Sequence, residues 1–172
     1  MDWSGVEGTW WRLRAATRAD ESAIAAHGRG PDPLWIGIGP AAPAERARQV
    51  LTEFLKGEEV AFGSTWLAVV KETDEIVGMI GAQQHPPRTV EIVYGVAPRW
   101  RGHGLATEVL AAVTRTAREQ DADRRYELII GRDNAASIRG AEKCDYRYVG
   151  ARRSLVEATG ECYEDLVYLP PW

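Results

Sequence analysis

One stretch constrains the fold more than any other. Val90–Val96 is rich in β-branched and aromatic residues, and a glycine-bearing turn, Arg101–Ala106, follows it. Gly104 to Glu119 then places Leu105, Val109, Ala112, Val113 and Thr116 at helical spacing, and Tyr126–Ile130 is a second β-rich run. Strand, helix, strand is a crossover, and a crossover joins strands that run parallel. The strands before it behave differently. Thr65–Val70, Ile76–Ala82 and Val90–Val96 are separated only by a polar turn at Glu72–Glu75 and a break at His85-Pro86-Pro87. Connections that short force an antiparallel meander. The expectation is therefore a mixed α/β sheet, α+β in character, with one parallel junction.

The flanks add less. Trp10–Ala16 reads as a first strand, and Thr17 is a candidate N-cap for a short helix through Ala26. Residues 28–43 are a glycine- and proline-rich loop, and Ala44–Lys56 carries a helical apolar pattern closed by Gly57. After the crossover come a short helix over Asn134–Lys143 and two strands, Tyr146–Val156 and Cys162–Leu169, joined by a turn at Thr159-Gly160. No linker or repeat interrupts the 172 residues, so one domain over 1–172 is expected. Of the seven tryptophans, Trp66 falls in a core strand. The others lie near element ends, where burial as core is favoured over lining a cleft.

Composition removes several classes of function. A net charge of -4 argues against a nucleic-acid partner. No apolar run nears the ~18 residues of a membrane span, and the first residues lack a secretory pattern, so a cytoplasmic protein with no membrane partner is expected. Cys144 and Cys162 sit in no metal-ligand spacing, so no metal is expected.

The chemistry belongs to the turn before the crossover helix. Gly102 and Gly104 let the backbone approach a ligand closely, and successive N–H groups can converge on it. The first helical turn adds unpaired donors and a partial positive charge, making an anion site suited to a pyrophosphate. Arg99 and Arg101 bring further charge. The bare pattern R-x-x-G-x-[GA] arises by chance roughly 0.4 times in such a chain, so its place between strand and helix is what gives it weight. There is no P-loop motif, and Thr107 stands where a dinucleotide fingerprint needs its third glycine.

At these residues the chain resembles the GNAT acyltransferase superfamily. Arg101-x-x-Gly104-x-Ala106 matches the family's pyrophosphate signature, and Val96-Ala97-Pro98 matches its lead-in. Glu91–Tyr94, Gly102–Glu108 and Asn134–Arg139 followed by Glu142-Lys143 look like the RimJ/RimL branch, which acetylates ribosomal-protein N-termini. The likeness is sharp over about residues 65–150. One departure is Cys144-Asp145-Tyr146, where the family often has Gly-Phe.

The resemblance implies acetyl-CoA as co-substrate, a primary amine as acceptor, and direct transfer in a ternary complex. It places the pyrophosphate on Gly102, His103, Gly104, Leu105 and Ala106, with Arg101 beside them. It lays the pantetheine arm along the backbone of Tyr94 and Val96 as an added strand would lie. Asn134 would hold that arm, cap its own helix, or both. Glu91 is the expected base for the acceptor ammonium. Ser137 is the expected hydrogen-bond donor to the departing sulfur, because Ala141 occupies the position where many relatives have a tyrosine. Tyr94 or water are the other candidates for that acid. The acceptor stays open between a protein N-terminus and a small molecule such as an antibiotic or polyamine. A non-catalytic acyl-CoA sensor is the remaining alternative, and either a monomer or a homodimer is compatible with the sequence.

Overall fold

The computed structural model describes residues 1–20, 22–23, 64–156 and 161–172. Seven strands form one sheet: β1 (Trp11–Ala15), β2 (Ser64–Val70), β3 (Ile76–His85), β4 (Thr89–Val96), β5 (Arg125–Gly131), β6 (Arg147–Val156) and β7 (Glu161–Leu169). Their order is β1-β2-β3-β4-β5-β7-β6. All described pairs are antiparallel except β4 with β5. Helix α1 (Leu105–Gln120) makes the crossover between that parallel pair, and α2 (Ala135–Lys143) joins β5 to β6.

Alternation along the strands explains which side chains are buried where. Val90 and Ile92 of β4 and Ile80 and Ala82 of β3 share one core with Leu105, Val109, Leu110 and Val113 of α1. Residues on one sheet face thus meet one stripe of the helix. Glu91 and Val93 must then project from the opposite face. Trp3, Trp11 and Trp66 are buried, Trp10 stacks on Trp100 at 5.3 Å between centroids, and Arg118 lies over the ring of Trp172.

The strand β3 runs three residues beyond its expected end at Ala82. Gln83, Gln84 and His85 are polar and carry no apolar alternation, but each pairs with β4, opposite Glu91, Val90 and Thr89. Backbone pairing, not side-chain burial, extends the strand. The short helix expected from Thr17 is described as a 3-10 turn over Arg18–Asp20, with Ser22 and Ala23 helical. Thr17 does stand at its start, but the polarity of the cap is reversed. The Asp20 carboxylate reaches back to accept from both the N–H and the hydroxyl of Thr17, the acidic half of a capping box. The helix expected over Ala44–Lys56, the loop over 28–43, Trp35 and the turn at Thr159-Gly160 lie outside the described residues.

Candidate active site

The two strands of the crossover pair over only three rungs. Thr89, Val90 and Glu91 face Arg125, Tyr126 and Glu127. From Leu128 onward β5 pairs with β7 instead. Ala97 donates to Val77 of β3, and Arg125 donates to the carbonyl of Arg88 on the other side. By alternation the backbone groups of Ile92, Tyr94 and Val96 all point to the side from which β5 has departed. A V-shaped gap follows, with one wall of polar backbone. Arg101 Nε donates to the Val96 carbonyl at 3.0 Å, tying the turn to the end of that wall.

The turn itself requires its glycines. Gly102 and Gly104 have φ of +80° and +85°, left-handed conformations that side chains rarely adopt. A Cβ at Gly102 would meet nothing within 4 Å, and one at Gly104 only Glu108 Oε1 at 3.9 Å. The outer face of the loop is therefore open. Gly104 occupies the N-cap of α1, with no side-chain cap, and its carbonyl accepts from the Glu108 N–H. Among the described backbone hydrogen bonds, none is donated by Gly102, His103 or Gly104. Three N–H groups without a described backbone acceptor thus adjoin a helix start with no side-chain cap, an arrangement that fits a pyrophosphate. His103 Nδ1 lies 2.9 Å from the Arg101 carbonyl. A carbonyl only accepts, so this nitrogen carries the proton and the ring braces the turn. Met79, Tyr94, Val96, Leu105 and Ala106 contribute to an apolar recess behind it.

The arginines before the turn are engaged. Arg99 pairs with Glu75, which also accepts from Trp100 Nε1 at 2.8 Å. The charge of Arg99 is thus balanced locally. Arg132 pairs with Glu164 on β7.

Tyr94 and Ser137 are brought together across β4 and α2. The tyrosine hydroxyl donates to the Ser137 carbonyl at 3.3 Å. The Ser137 N–H is held by Asn134 Oδ1 at 3.1 Å, so Asn134 does cap α2. Burial pushes the Tyr94 hydroxyl above its usual range. Cys144 donates its thiol to the Thr107 carbonyl at 3.4 Å, and burial raises its pKa too. A thiol kept protonated is a poor nucleophile.

Glu91 lies on the other face of β4, at the last rung before the strands part. Its side chain is 11% exposed. His85 Nε2 is 3.2 Å from Oε2, and Arg152 Nη2 reaches the same oxygen at 3.6 Å from β6. Glu127 stands beside it on β5 and is itself paired with Arg125 at 3.1 Å. Burial pushes the Glu91 carboxyl above its ordinary value. The His85 hydrogen bond and the Arg152 charge pull it back, and Glu127 adds to the rise. A carboxylate made more basic by burial suits proton abstraction near neutral pH.

His85, Arg152 and Glu127 were not singled out from sequence. His85 had only its place beside two prolines, and Arg152 reaches Glu91 from a distant strand. No local pattern marks His85: it stands at the polar end of β3, two residues beyond Gln83, the partner of Glu91 in the β3–β4 ladder.

The fold and this gap define an acyl-CoA-dependent transferase. The family model described as acetyltransferase (GNAT) domain matches residues 11–147, and the chain belongs to that family. It is an acetyl-CoA-dependent acetyltransferase. It is 27% identical over 161 residues to the uncharacterized N-acetyltransferase YoaA of Bacillus subtilis (strain 168), covering 91% of this chain and 90% of that one. Among solved structures, it is similar to a putative ribosomal-protein-serine acetyltransferase from Vibrio cholerae, with TM-score 0.77, 18% identity and coverage of 96% and 97%. It is also similar to the acetyltransferase from Salmonella typhimurium that modifies the N-terminal serine of ribosomal protein L7/L12, with TM-score 0.75, 17% identity and 94% of each chain covered. No helix among the described residues is long and apolar enough to cross a membrane, and none of their His, Cys, Asp and Glu side chains group to hold a metal.

Proposed function

We propose that this enzyme acetylates a primary amine by direct attack on the thioester in a ternary complex, with Glu91 as base. The observation that carries the reading is the position of Glu91: buried, made basic by burial, and set where β4 and β5 part. The acceptor approaches from the Glu91 face, and its ammonium gives a proton to the carboxylate. The freed lone pair forms the new C–N bond, the tetrahedral centre collapses with breakage of the C–S bond, and the second proton of the amine passes to the departing thiolate. Tyr94 and Val96 hold the pantetheine arm through their backbone, and residues 101–106 hold the pyrophosphate. Ser137, on the opposite face of β4 from Glu91, donates a hydrogen bond to the departing sulfur. Base and leaving-group donor thus flank the gap from its two sides. A thiol of pKa about 8.5 leaves well enough that the Ser137 contribution is small.

The acceptor is the α-amine of a protein N-terminus, acetylated in the cytoplasm. The likeness to two acetyltransferases of ribosomal proteins over nearly the whole chain supports this choice. A screen of N-terminal peptides and small amines, read by thiol release from acetyl-CoA, tests it. Fast release with peptides is expected. Release only with small amines would replace the acceptor and keep the chemistry.

A further inference from the structure

All the described contacts of the Glu91 carboxylate fall on one oxygen. His85 from β3 and Arg152 from β6 converge on Oε2, and none of the described hydrogen bonds or ion pairs involves Oε1. An ionised carboxylate only accepts, so the neutral His85 ring must carry its proton on Nε2. We propose that His85 is the positioning residue of the base: its Nε2–H fixes Oε2, which aims Oε1 at the acceptor amine and makes Oε1 the atom that takes the proton. This rests on the reading of Glu91 as base.

The neighbourhood favours His85 over Arg152 for that task. The two groups differ in distance, 3.2 Å against 3.6 Å, and the shorter contact is a directed hydrogen bond. His85 also sits on the strand hydrogen-bonded to β4, two residues from the partner of Glu91, so its backbone is fixed relative to the base. The charged groups facing the pair are Arg152 from β6 and Glu127 from β5, the latter neutralised by Arg125. Among the groups that draw Glu91 back toward its ordinary value, the His85 hydrogen bond comes first and the Arg152 charge second. A neutral ring orients the carboxylate and leaves it a good base. A protonated ring adds a positive charge beside Oε2, stabilises the anion and weakens the base.

Two measurements test this. Long-range proton–nitrogen NMR of the histidine rings, with His85 assigned by its absence in His85→Gln, reads the tautomer in the folded enzyme without an acceptor. The Nε2–H form is expected in the wild type at pH 8, and a mixture in Glu91→Ala. An Nδ1–H ring in the wild type overturns the proposal. Thiol release from acetyl-CoA with the fastest amine of the screen gives the second readout. His85→Ala should lower kcat about tenfold, less than the ~10²-fold of removing the base itself, with KM for acetyl-CoA unchanged. His85→Gln, which keeps a donor, should recover most of that rate. Equal rates in the two variants, or an His85→Ala loss undiminished on top of Glu91→Gln, overturn the positioning role. Full turnover by Glu91→Gln alone would instead remove the base assignment, whatever the tautomer.

Discussion

Glu91 and Glu127 face each other on the last rung of the β4–β5 ladder, and both are buried. Beyond them one strand turns to β7 and the other keeps an open edge. Like charges on opposing rungs destabilise a sheet, and here Arg152 and Arg125 offset the repulsion. Removing the basicity of Glu91 while keeping its shape is the direct test of its role. Glu91→Gln should lower turnover about 10²-fold and leave acetyl-CoA affinity near wild type. The deficit should shrink as pH rises, because more acceptor arrives already deprotonated. A deficit independent of pH would assign Glu91 to structure or acceptor binding.

The phosphate turn is tested at Gly104. Its φ of +85° strains most residues that carry a side chain, and an aspartate, which tolerates it better, adds negative charge at the helix start. Gly104→Asp should weaken acetyl-CoA binding at least tenfold, about 1.4 kcal/mol. Calorimetry on the folded variant measures it. Affinity equal to wild type would place the pyrophosphate elsewhere.

Asn134 has a structural duty that can be separated from any contact with the pantetheine arm. Losing its bond to the Ser137 N–H should cost about 1 kcal/mol in Asn134→Ala and much less in Asn134→Asp. Urea unfolding gives both numbers. If Asn134→Asp keeps stability but loses acetyl-CoA affinity, the side chain also touches the cofactor.

Acid should reveal the cap at Asp20. The Arg14 guanidinium, bonded to both carboxylate oxygens, is the main reason its carboxyl is pushed down to about 2, and the Thr17 N–H and hydroxyl assist. A depressed folded pKa means stability that is present above the unfolded value, near 3.9, and lost as pH falls through about 2. Asp20→Asn should be less stable than wild type at pH 7, and the gap should close between about pH 4 and pH 2. A gap that persists at pH 2 would mean the ion pair is not its source.

The core prediction is simplest. Leu110 is fully buried between α1 and the sheet, so Leu110→Ala should cost about 2–5 kcal/mol by thermal or urea unfolding.

Much of this architecture was legible because local rules agreed with the tertiary result. The α1 stripe and the alternation of β4 each pointed to the same buried face, so the crossover and its parallel junction were readable. Gly102 and Gly104 were readable for a different reason: only glycine relaxes into the conformation that the turn adopts. What stayed hidden was set by pairing between distant segments. The polar end of β3, Gln83 to His85, is a strand only because β4 lies beside it. That error concealed His85 as a neighbour of Glu91. The approach of Arg152 from β6 has no local pattern at all, and the reversed cap at Thr17 reflects a stronger acceptor three residues away.

The parted strands also bear on how the protein survives between turnovers. The edge of β4 from Ile92 to Tyr94 presents main-chain donors and acceptors beside a buried core, the kind of surface on which another extended chain can template itself. A co-substrate bound along this edge, as proposed, would close it. At a hundred times its dissociation constant, it would add about 2.7 kcal/mol to the folded state. Acetyl-CoA supply would then set the shelf life of the enzyme as well as its rate, and starvation for the thioester would expose the edge to self-association.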